Sequence, residues 1–140
     1  MLCRTVLAVS ATLWLAMMLA TPLQAKDCPV QEASLEAHED AVRKASTCRG
    51  ALEIMEACAY GATGDTGLAG AVRERCEPEF LPKLSKAQKR AYDQEQRRCD
   101  QKYARQSGTM YRSFTAFCQA KSAVAHAAKF GATANAKAKR

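Results

Sequence analysis

The sequence predicts an all-α fold, a small disulfide-stapled bundle of about four helices arranged as two helical hairpins. Three observations carry that expectation. Beyond residue 25 only five residues are Val or Ile, and no stretch alternates polar with apolar. Alanine supplies 23 positions of that region, accompanied by many Glu, Gln, Lys and Arg, residues that lose little rotamer freedom in a helix. Six of the seven cysteines also fall there, and six cysteines in an oxidising compartment read as three crosslinks.

The chain opens as a secretory signal peptide would. Met1–Arg4 carries one positive charge, Val6–Ala20 is an apolar run, and Leu23-Gln24-Ala25 has the character of a cleavage site. The expected organisation is therefore a signal peptide over 1–25, a helical disulfide-stapled domain over 26–130 and a disordered basic tail over 131–140. The expected location is periplasmic or secreted, with no transmembrane helix in the mature form. That mature chain holds five Leu, four Val, one Ile, two Met, four Phe and four Tyr. So small an apolar inventory makes a marginal core, which small exported domains offset with crosslinks.

The first helical segment is expected from about Pro29 to Tyr60, with a break near Ser46-Thr47 or Gly50. Cys48, Leu52, Met55 and Ala59 recur along it at helical spacing. A glycine-rich joint over 61–67 follows. Asp65 is placed there as the N-cap of a second helix showing Leu68, Val72 and Cys76, and Glu77-Pro78 with Leu81-Pro82 should stop that helix. The third helix begins at Ser85, with Gln88 completing a capping box, and carries the stripe Leu84, Ala91, Tyr92, Cys99, Tyr103. Gly108 ends it. The fourth runs from Thr109 to about Phe130, with Met110, Phe114, Phe117, Cys118, Ala125 and Ala128 expected on its packed side and Gly131 as the stop.

Register suggests how the cysteines pair. Cys99 lies nine residues before Gly108 and Cys118 ten after it, so an antiparallel hairpin sets both at one height. Similar spacing about Ala62 aligns Cys48 with Cys76. Cys28 and Cys58 then remain, and they meet only if the first segment bends near 45–48. The expected set is Cys99–Cys118, Cys48–Cys76 and Cys28–Cys58, one of 15 pairings. Its main rival joins Cys48 to Cys58 and Cys28 to Cys76.

Around the second hairpin a family likeness emerges. Ala87-Gln88, Cys99 eleven positions after that glutamine, the turn Gly108-Thr109-Met110 and Cys118 resemble the lysozyme-inhibitor LprI-like family of small exported bacterial proteins. Cys48, Cys58, Asp65 and Leu68 resemble the front of the same pattern. Ala91 and Glu95 depart from it, standing where the family usually has an aromatic residue and an arginine, and Cys76 is additional. The resemblance implies an all-helical extracytoplasmic module that binds a partner, a lysozyme-type protein, and catalyses nothing.

Catalytic and metal chemistry find little footing. His38 and His126 fall on separate helices with no ligand spaced to complete a metal site, so solvent-facing histidines are expected, with no metal and no cofactor. No Cys-x-x-Cys is present to lower a thiol pKa. The spaced glycines from Gly61 to Gly70 follow a helix and precede no Lys-Ser/Thr, unlike a phosphate loop. No catalytic residue is assigned, and the protein is not expected to be an enzyme.

Charge is the informative feature. Residues 26–80 carry six basic and eleven acidic side chains, whereas 81–112 carry nine basic and three acidic. Lys86, Lys89, Arg90, Arg97, Arg98, Lys102 and Arg105 are the candidate residues for an anionic partner. The function expected is an extracytoplasmic non-enzymatic binding module, lysozyme-inhibitor-like by resemblance. The alternative is a basic envelope accessory protein contacting anionic polymers or lipid surfaces. Nucleic acid is the least favoured polymer, because compartment and scarce free aromatics both speak against it. Oligomeric state is left open by the sequence.

Overall fold

In the computed structural model, which describes residues 27–131, five α-helices follow one another: α1 Leu35–Arg43, α2 Cys48–Cys58, α3 Asp65–Phe80, α4 Lys86–Tyr103 and α5 Thr109–His126. A short 3-10 turn, Leu81–Lys83, precedes α4, and a π-helical turn, Ala127–Gly131, closes α5. No strand occurs among the described residues. The all-α bundle is as expected, with five helices in place of four because the first segment divides. The expected signal peptide over 1–25 and all but the first residue of the expected tail over 131–140 lie outside the described residues.

The division falls at 44–47, and local chemistry accounts for it. Ser34 caps α1 by accepting the Ala37 N–H at 3.1 Å. Thr47 caps α2 by accepting the Gly50 N–H at 3.0 Å, and a capped start is a natural break between helices. Arg75 of α3 then holds the corner, donating to the carbonyls of Ala45 at 2.7 Å and Ser46 at 2.8 Å. With the corner turned, Cys28 and Cys58 meet in a disulfide, their Cα atoms 4.7 Å apart.

The second expected bond also stands, Cys99–Cys118, with 5.6 Å between Cα atoms. Gly108, at φ +114° and ψ 157°, makes the turn between α4 and α5 in a region open essentially to glycine alone. The Ser85–Gln88 capping box is present in both directions. The third bond is a correction. Cys48 of α2 and Cys76 of α3 are buried free thiols in the core cluster. Burial pushes both thiols above their ordinary pKa, which keeps them protonated.

Other expectations shift as well. Helix α3 continues through Pro78 to Phe80. A proline in the last turn removes only its own N–H bond, and Phe80 is wholly buried beyond it. Asp65 is the first residue of α3, with Gly64 at the cap position. Its carboxylate is buried and works as a tie: Oδ1 accepts the Tyr60 N–H at 2.8 Å and Oδ2 accepts the Ser113 hydroxyl at 2.5 Å. The glycine-rich joint is thereby fastened to α5.

Helix α3 is the axis of the bundle, packed against α1, α2 and α5. Its core residues Leu68, Val72, Cys76 and Phe80 join Val42, Leu52 and Met55 in one cluster. The buried face of α5 is made of small residues, Ser113, Ala116, Ala120, Ala123 and Ala127. Met110 and Phe114, expected inside, are 49% and 41% exposed, and Ala125 and Ala128 also face out. Small side chains let two backbones approach closely, and the bulkier residues are left on the other side. Helix α4 lies at the edge along α5, where Ala91 is exposed. It reaches α3 through Tyr92, whose ring meets Phe80 edge-on at 5.1 Å.

Candidate functional site

The edge position of α4 decides what its charges can do. Lys86, Lys89, Arg90, Arg97, Arg98, Lys102 and Arg105 are all exposed. At 3.6 residues per turn Lys86, Arg90 and Arg97 fall within about 40° of arc. Arg98 and Lys102, one turn apart, form a neighbouring row. None of the seven takes part in an ion pair among the described residues.

Elsewhere the cations are largely engaged. Arg43 pairs with Glu39 at 2.9 Å and Glu74 at 2.7 Å, Arg73 with Glu77 at 2.8 Å, Arg75 with Glu79 at 2.6 Å, and Lys121 with Glu56 at 3.2 Å. The acidic half thus consumes its own cations. Two of the three carboxylates on α4 turn toward α5: Glu95 accepts from the Ser122 hydroxyl at 3.0 Å, and Asp100 accepts from the Gln119 amide at 2.8 Å. Only Asp93 stands among the outward lysines and arginines. Intramolecular neutralisation of this face is therefore slight.

Where α4 passes into α5, aromatic side chains gather. Tyr103, Tyr111 and Phe114 form a triangle with ring centroids 5.7–6.2 Å apart, and the Lys102 ammonium lies 5.2 Å from the Tyr103 centroid, a cation–π distance. Beside them opens a cleft of about 610 Å³ lined by Asp100, Tyr103, Ser107, Tyr111, Arg112 and Gln119 among others. Tyr103 was expected in the core stripe of α4; it is half-buried here.

A second grouping was missed entirely. His38, expected in solvent, is only 6% exposed. Its Nδ1 is 2.7 Å from the Tyr60 hydroxyl and its Nε2 is 3.7 Å from Cys28 Sγ. Donor atoms of Cys28, His38 and Cys58 thus lie within 4.8 Å of one another, a convergence no linear spacing foretold. The two sulfurs are bonded to each other, and a thiolate is what a metal requires, so in this state the group is a packed disulfide with a histidine against it. His126 is also withdrawn from solvent, its ring 4.9 Å from Tyr92 and 5.6 Å from Phe80.

The described residues show no helix long and apolar enough to cross a membrane, and with two disulfides the domain is compatible with life outside the cytoplasm. No family model, curated protein or solved structure matches the chain, so its functional reading stands on its own residues.

Proposed function

We propose that this protein is an exported, non-enzymatic binding module that engages an anionic partner of the cell envelope through the outer face of α4. The observation that carries this is the row of cations without ion pairs on an edge helix, two of whose three carboxylates are hydrogen-bonded to α5. Such a face raises the local concentration of polyanions and speeds their capture. Retention of the oxidised protein on immobilised lipopolysaccharide should fall steeply with salt, because exposed charges are screened within about 8–10 Å at physiological ionic strength. Arg97→Ala with Arg98→Ala should weaken binding about thirtyfold, at ~1 kcal/mol per cation near an anionic surface. Retention that ignores both salt and this double substitution refutes the reading.

The second reading, inhibition of a lysozyme-type enzyme, draws on the family resemblance and on the exposed turn 107–111, where Met110 projects beside the cleft. A basic enzyme would be repelled by the α4 face, so this reading expects protection only against lysozymes of low basicity. Lysis assays over a panel of lysozymes test it, and failure to protect against every member defeats it.

A further inference from the structure

Resting on the polyanion reading, we infer that the partner surface is an anionic lipid bilayer, docked by the α4–α5 tip with Met110 and Phe114 entering the headgroup–acyl boundary. Helix α5 has two faces. Ser113, Ala116, Ala120, Ala123 and Ala127 face the core, while Met110 and Phe114, four residues apart, share an exposed flank at the end of the hairpin.

Two things on this surface select the occupant. The first is apolar content. Met110 and Phe114 are two of the three large apolar side chains most exposed among the described residues, and Phe114 is contiguous with Tyr103 and Tyr111. A hydrated polysaccharide gives such a patch nothing, whereas a bilayer boundary removes it from water and suits tyrosine rings, apolar in body and polar at the tip. The second is the rim. Lys102, its ammonium 5.2 Å from the Tyr103 centroid, and Arg105, two residues beyond that tyrosine, are exposed at this end of α4, and their long stems can lie along apolar surface while the charges meet phosphates. Asp65 and Asp100, the carboxylates at this end, are engaged with Ser113 and Gln119. A second copy of the chain would bring like charge against like charge. Apolar tip and cationic rim together are the pattern of a peripheral membrane anchor, in which buried apolar area and attraction to anionic lipid add.

The test is co-sedimentation of the oxidised protein with vesicles of phosphatidylglycerol and phosphatidylcholine, against vesicles of phosphatidylcholine alone. Binding is expected only to the anionic vesicles. Met110→Ser with Phe114→Ser should weaken it by about tenfold or more, the loss that partial burial of two such side chains implies, and these exposed positions should leave the circular-dichroism melt in place. A Phe114→Trp variant should be quenched by brominated acyl chains in the bound state. Equal binding by the serine variant, or an unquenched tryptophan in bound protein, overturns the insertion. Retention on lipopolysaccharide without any vesicle binding overturns the lipid inference while the α4 reading stands, and loss of both overturns the two together.

Discussion

Reduction of the two disulfides should abolish the cooperative thermal transition of this protein. The bonded cysteines are 30 and 19 residues apart in sequence, and loops of those sizes restrict the unfolded chain by about 3.6 and 3.2 kcal/mol. The two loops share no residue, so their effects add to about 7 kcal/mol, within the ~5–15 kcal/mol that holds a whole domain folded. The core gives little in reserve, because much of the α5 interface is alanine and each alanine buries little area. The measurement is helical circular dichroism through a melt, with and without a phosphine reductant. Cys48→Ala with Cys76→Ala serves as the control, since those thiols are free in the structure and their removal should leave the reductant's effect intact. A melt indifferent to reductant would mean that packing alone sustains the bundle.

Phe80→Ala should be the most damaging single core truncation, costing about 3–5 kcal/mol. The ring is wholly buried at the end of α3. It meets Tyr92 of α4 at 5.1 Å and His126 of α5 at 5.6 Å, so three helices share the space that its loss would open. Tyr92 is tied to the same region by donating to Glu77 at 2.8 Å, and burial raises its pKa above the ordinary phenol value, which leaves it a neutral donor at pH 7. A cavity there could not collapse without moving that hydrogen bond. The melting temperature should fall by about 12 °C or more. Phe114→Ala, at a position 41% exposed, should cost under ~1 kcal/mol. Equal losses from the two substitutions would contradict the division of α5 into a packed alanine face and an outward aromatic one.

That division shows where sequence reading reaches its limit. Met110 and Phe114 begin the more hydrophobic stripe, of which only Phe117 packs partly against the core, and area alone would bury all of it. The alternative stripe of Ser113, Ala116, Ala120, Ala123 and Ala127 is equally helical in period. Contact with α3 chose it, because close-packed helices take small residues at their crossing and turn the bulk aside. The burial of His38 has a related reason: its neighbours in sequence are polar, and its neighbours in space are Tyr60 and Cys28, 22 and 10 residues away. Pro78 lacks an N–H and so suggests a stop, yet so near the end of α3 the loss is a single bond.

The sequence by itself determined the helical class, the Ser85–Gln88 start of the third helical segment, the Gly108 turn into α5, the Cys99–Cys118 register and the lopsided charge, while that third helix ends at Tyr103, short of the expected Ser107. Each of these follows from local chemistry or from counting along a helix. Only the tertiary structure decided which stripe of α5 was buried, that Arg75 held the corner letting Cys28 reach Cys58, that Cys48 and Cys76 stood as free thiols, and that the α4 cations stayed unpaired. Those outcomes depend on which helices touch, and contacts between residues tens of positions apart leave no mark in any short window of sequence.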